Sequence, residues 1–166
     1  MIKKVLLGSA FLVGTAAAQT LTTTTIQRYF TPVRTNIEAA ADTMPAAKYD
    51  YKLTADQMSF GEWLLHSVDR NYLDCAAMKG EPRPMSADAV NALKGKDAVN
   101  KAVKDSFAYC TAALGAMTDA KVTATPEMSY SFLHTVVHNN EIYGNLVGYL
   151  RVTGVVPPST ARRNKK

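Results

Sequence analysis

Four separate segments of the chain place apolar residues at the three- and four-residue spacing of a single helix face. The third segment is the clearest, because its apolar residues fall within about 80° of arc on a helical wheel. They are Val99, Val103, Phe107, Cys110, Leu114 and Met117. No segment shows the alternation of apolar and polar residues that is typical of a strand. The pattern therefore predicts an all-α fold, a four-helix bundle with long connections.

The expected long helices cover about residues 24–43, 59–79, 97–117 and 129–153. Ser59 and Glu62 form a capping-box pattern at the start of the second helix, and Gly80 follows its end. A shorter helix is expected at 86–93. Pro32 predicts a kink in the first helix or a start one turn later. The long connections permit crossovers, so a simple up-and-down order of helices is not required.

The N-terminus has the pattern of an export signal. Lys3 and Lys4 precede an apolar run at 5–17, and three alanines at 16–18 supply the small residues of a cleavage site. We expect a signal peptide at 1–18 and a mature start at Gln19, with a periplasmic or secreted protein as the product. An uncleaved anchor is the alternative, although the run is shorter than the roughly 20 residues of a membrane span.

The mature chain is expected to form one domain at 19–160, followed by a basic disordered tail at 161–166. The net charge of +5 comes from the two ends of the chain. The signal and the tail together hold six of the 19 basic residues, which leaves 13 basic against 14 acidic side chains. This balance argues against a nucleic-acid-binding surface. Because no second apolar run is long enough, no stable membrane span is expected either.

Cys75 and Cys110 are the only cysteines, and both lie on apolar helix stripes. An even count in an exported protein favours one disulfide between them. Two independent buried thiols are the alternative. Because the chain contains no CxxC motif, neither a redox motif nor a zinc knuckle is indicated.

The three histidines are His66, His134 and His138. His134 and His138 are four residues apart and so share one helix face, which is how a helix offers two imidazoles to one metal ion. The alternative is a structural role without metal, in which the polar face of the fourth helix is turned to water and His66 is packed and hydrogen-bonded on its own. No catalytic triad, phosphate-binding loop or carboxylate pair is recognisable, so a catalytic residue cannot be named from the sequence.

Several longer motifs resemble those of one family. They are NIEAAADTMP at 36–45, KYDY at 48–51, SFGEWLLH at 59–66, DRNY at 69–72, FAYC at 107–110, HNNEIYGN at 138–145 and YLRVTGVVPPS at 149–159. Together they make the chain similar to the DinB-like (DfsB-like) helical-bundle proteins over about residues 26–160. The resemblance implies a four-helix bundle of unusual connectivity, and homodimer formation is expected from the resemblance alone.

The resemblance also implies a zinc or nickel site with three histidine ligands. His66 and His138 match two of them, but the third position holds Ile142. The expectation is therefore a degenerate site that binds metal weakly or not at all, in a binding or scaffold protein with an unknown small-molecule partner. The alternative is a shifted site of His66, His134 and His138 in a metal-dependent hydrolase or thiol S-transferase.

Overall fold

The computed structural model describes residues 23–164. This part of the chain forms seven α-helices and one 3₁₀ turn at Ala46–Lys48, and it contains no strand. The helices are α1 (Thr23–Thr43), α2 (Phe60–Lys79), α3 (Ala87–Asn91), α4 (Lys96–Gly115), α5 (Asp119–Val122), α6 (Pro126–Val152) and α7 (Pro158–Arg163). None of these helices is both long enough and apolar enough to cross a membrane. The expected signal peptide lies outside the described residues.

The four long helices α1, α2, α4 and α6 make up the bundle. Helix α2 packs against α4 and α6, and α1 packs against the same two helices on the other side. Consecutive helices α1 and α2 therefore occupy one diagonal of the bundle, and α4 and α6 occupy the other. This order uses the long connections that the sequence predicted, which permit crossovers, and it places α2 directly beside α6.

Local sequence signals account for the ends of α2. The Ser59 side chain accepts a hydrogen bond from the Glu62 N–H at 3.2 Å, and the Glu62 carboxylate accepts one from the Ser59 N–H at 2.6 Å. This is the predicted capping box, and the contact with the Ser59 N–H is the main cause that lowers the pKa of Glu62. Gly80 ends the helix with a φ of 68°, a conformation that favours glycine.

Helix α1 runs from Thr23 through Pro32 to Thr43, which confirms the expected range and excludes the alternative start one turn later. Two details differ from the sequence-based expectation. Helix α6 begins three residues before the expected Ser129, because the Thr125 hydroxyl caps it and Pro126 suits its first turn. Helix α7 includes Arg162 and Arg163, so the first residues of the tail expected to be disordered are helical.

The predicted apolar stripes form the core. On α2 the residues of the stripe are all completely buried: Phe60, Leu64, Val68, Asn71 and Cys75. Cys75 and Cys110 lie at disulfide-bonding distance, with their Cα atoms 5.3 Å apart, which links α2 to α4 as expected. The connection before α2 is also anchored, since the Tyr49 hydroxyl contacts the Ala41 carbonyl at 2.6 Å and the Asn100 amide oxygen at 2.5 Å.

Candidate functional site

The three histidines lie together where α6 packs against α2. The Nε2 atoms of His66 and His138 are 3.0 Å apart. The His134 ring stacks on the His138 ring with centroids 4.7 Å apart, and Tyr130 stacks on the other side of His134 at 4.9 Å. We call His66, His138, His134 and Tyr130 the histidine row. The structure thus brings together all three candidate metal ligands of the sequence analysis, His134 and His138 from α6 and His66 from α2.

The row is partly withdrawn from solvent. The His134 and His138 side chains are only 20% and 17% exposed, whereas Glu141 on the same predicted polar strip is 68% exposed. The strip is therefore not a plain solvent-facing side of α6, because its two histidines face α2. His66 is likewise not an isolated packed side chain, since it contacts His138.

The tautomers of His66 and His138 follow from their contacts. His138 Nδ1 lies 3.4 Å from a Glu141 carboxylate oxygen, which favours a proton on Nδ1. The Nε2 atom of neutral His138 then accepts a hydrogen bond that His66 Nε2 donates. Burial is the main cause that lowers the pKa of both imidazoles, assisted by the Arg70 guanidinium at His66 and by His134 at His138. Both effects favour the neutral forms.

Asp74 is a site residue that the sequence analysis missed. Its side chain is 4% exposed, and its carboxylate oxygens lie 2.7 Å from His134 Nδ1 and 3.3 Å from an Arg70 nitrogen. Helical spacing could have indicated it, because Asp74 follows His66 by eight residues and so lies within about 80° of it around the axis of α2. Because Asp74 engages Nδ1 of His134, only the Nε2 atom of that ring is available to another partner.

Ile142 follows His138 by one helical turn, and its side chain is completely buried in the apolar core. Among residues 23–164, no group of three or more His, Cys, Asp or Glu side chains is arranged to hold a metal ion. The histidine row therefore offers two facing nitrogens, from His66 and His138, rather than a three-ligand set.

A surface cavity of about 380 Å³ opens beside His66. Its lining combines charged, amide and apolar side chains from α2, from the residues before it and from the end of α3. They are Met58, Glu62, Leu65, His66, Asp69, Asn91 and Lys94. The cavity gives a small molecule access to the His66 end of the histidine row.

Comparison with known proteins identifies the family. The model of the DinB superfamily matches residues 29–141, about two thirds of the chain. The chain belongs to the DinB superfamily. No curated protein and no solved structure gives a significant match. Membership confirms the family and the all-α bundle that the sequence predicted.

The matched range covers only part of the candidate site. It contains His66, His134 and His138, and it ends one residue before Ile142. Because the superfamily match stops there, the correspondence between Ile142 and a third ligand depends on the HNNEIYGN motif and on helical spacing.

Proposed function

We propose that this DinB-superfamily protein is exported and binds a small molecule through a site whose metal-binding capacity has decayed. The observation that carries the proposal is Ile142, a completely buried hydrocarbon side chain one turn after His138 on α6. The resemblance assigns a ligand to this position, and isoleucine has no atom that can coordinate a cation. Loss of that ligand favours a binding or scaffold role over catalysis by a bound metal.

The remaining histidines do not fit a tight site. Two nitrogens bound to one tetrahedral zinc ion are about 3.3 Å apart, close to the 3.0 Å between His66 Nε2 and His138 Nε2. The pair could therefore share one cation. However, zinc sites that hold their metal firmly use three or four protein ligands. We expect zinc or nickel to bind this pair weakly or not at all.

A second candidate function has one observation in its favour. A carboxylate on one ring nitrogen is the usual device that orients a metal-binding histidine, and Asp74 occupies that position on His134. If His134 Nε2 joined the His66–His138 pair on a metal ion, the resulting shifted site would suit a metal-dependent hydrolase or thiol S-transferase. A divalent metal would lower the pKa of a water or thiol there. Asp74 would hold the His134 ring, and His66 would face the cavity.

Metal titration distinguishes the two candidates. Tag-free parent protein and the Ile142→His variant are titrated calorimetrically with zinc and with nickel. We expect the variant to bind markedly more tightly, because position 142 lies one turn from His138. Asn140→His is the matched control, since it adds a histidine to α6 at an exposed position and should leave affinity unchanged.

Tight stoichiometric metal binding by the parent, abolished by His134→Ala, would instead support the shifted site. The Ile142→His variant should also lose about 1–3 kcal/mol of stability without metal, because position 142 is completely buried. Denaturant unfolding in a chelator measures that loss.

The export part of the proposal has separate support. A disulfide between Cys75 and Cys110 is typical of oxidising compartments. The N-terminal pattern of a basic start, an apolar run and small residues agrees with it. Intact-mass measurement of the exported protein should show Gln19 as the first residue, and a mature species that keeps Met1 would contradict cleavage.

A further inference from the structure

The two carboxylates in the cavity beside His66 are already engaged. Glu62 accepts the Ser59 N–H and lies 3.7 Å from the Lys52 ammonium. Asp69 forms an ion pair with the Arg83 guanidinium. Their negative charges are therefore balanced by neighbouring cations.

Two other polar side chains of the cavity have no such partner. Neither the Lys94 ammonium nor the Asn91 amide hydrogen-bonds or pairs with any residue in the range 23–164, and both are exposed. They lie three residues apart, on either side of the end of α3. The lining thus presents an unpaired positive charge beside an amide donor, a combination that complements a carboxylate.

The cavity also has an apolar side. Met58 and Leu65 both line it, and Met58, which is 39% exposed against 5% for Leu65, provides most of the accessible hydrocarbon surface. We propose that the cavity binds a small organic carboxylate, whose acid group pairs with Lys94 and Asn91 and whose apolar portion covers Met58 and Leu65. The inference rests on the proposed binding function and names the class of its ligand.

The test uses hexanoate as the probe and hexylammonium as its counterpart with the opposite charge and the same alkyl chain. Full-length mature protein is labelled with ¹⁵N and titrated with each compound in the presence of EDTA. Hexanoate should produce saturable shifts of the Asn91 side-chain amide and of the backbone amides around Leu65, and hexylammonium should not. Equal binding of both compounds would overturn the proposal, because it would show that charge is not recognised.

Two charge variants locate the interaction. Lys94→Gln should weaken hexanoate binding about tenfold, since it removes the unpaired ammonium. Lys101→Gln is the matched control, because it removes the same charge from an exposed α4 lysine that pairs with Asp105 at 2.6 Å. Equal affinities in the two variants would place the anion elsewhere and contradict the proposal.

The outcome is separable from that of the metal titration. Saturable binding in EDTA that is lost in Lys94→Gln supports the carboxylate site even if the parent protein binds zinc tightly. Absence of saturable hexanoate shifts overturns the carboxylate site even if Ile142→His behaves as expected.

Discussion

Two groups of polar side chains lie where α2 packs against its neighbours in the bundle, and they differ in how completely their hydrogen-bonding atoms are used. The first group is a buried amide network formed by Ser67, Asn71, Ser106 and Asn139, all at most 1% exposed. The second is the histidine row. The two groups are neighbours in sequence, because Ser67 follows His66 and Asn139 follows His138.

The amide network is closed. Asn139 donates to the Asn71 amide oxygen and to the Thr135 carbonyl, both at 2.7 Å, and accepts from the Ser67 hydroxyl at 2.5 Å. Asn71 donates to the Ser106 hydroxyl at 3.2 Å, which in turn donates to a backbone carbonyl at 2.9 Å. Every member is paired within the protein, so the network fixes the packing of α2, α4 and α6 and leaves no group for a ligand.

The histidine row is open by comparison. Within the part of the chain that the structure describes, neither His134 Nε2 nor His66 Nδ1 has a hydrogen-bond partner, and the Arg70 Nε atom beside the row is buried without one. On α2 and on α6, the histidine and the network residue that follows it are one position apart, which is a rotation of about 100° around the helix. This rotation separates the closed network from the row with unused nitrogens. The comparison assigns stability to the first group, and it leaves the second with the unused nitrogens that the proposed binding function requires.

The largest expected effect concerns the disulfide beside the amide network, where Cys110 Sγ lies 3.3 Å from the Asn71 carbonyl oxygen. The bond closes a loop with a sequence separation of 35 residues, so its removal should lower the free energy of unfolding by about 3–4 kcal/mol. Urea unfolding of a Cys75→Ala/Cys110→Ala variant measures this loss. Thiol titration of denatured, unreduced parent protein is the control, and two free thiols per chain would refute the bond.

The next effect separates two adjacent asparagines. Asn139→Ala should lower stability by about 2–3 kcal/mol, because it leaves the Ser67 hydroxyl and the Asn71 amide oxygen buried without their partner. Asn140→Ala, at an exposed position on the same helix, should change stability by about 0.5 kcal/mol or less. Denaturant unfolding of both variants provides the comparison. Similar losses in the two would show that the network does not carry the stability assigned to it.

Sequence periodicity predicted the bundle well, because apolar residues recur with the helical period wherever a helix faces the core. The stripe from Val99 to Leu114 is buried as expected, and the capping box of Ser59 lies where the sequence put it. The start of α6 was placed too late, since the apolar pattern begins several residues after the cap. The Thr125-Pro126 pair was the signal that marks the true start.

The candidate site was only partly predictable. Spacing placed His134 and His138 on one face, but it could not decide whether that face met water or another helix. The contact between His138 and His66 depends on the crossover order of the bundle, which periodicity does not encode. Asp74 escaped notice because an acidic residue on a helix is ordinarily solvated, and only the packing of α6 on α2 buries it against His134.

The smallest expected effect is the pH dependence of stability at the histidine row. The pKa values of His66 and His138 in the folded protein lie below the ordinary value of 6.5, mainly because of burial. The unfolded chain therefore binds more protons as the pH falls through 6.5, and stability is lost from there towards the lower folded pKa values. The nearby Asp69 and Glu141 carboxylates limit this loss, because they raise the pKa of His66.

Unfolding free energies measured in EDTA between about pH 7 and pH 5 should fall in the parent and fall less in His66→Gln/His138→Gln. The Glu62 pKa is also lowered, but from 4.5, so its contribution is lost below this window. Equal slopes in the two proteins would mean that the row does not resist protonation, and the contrast with the amide network would then rest on hydrogen bonding alone.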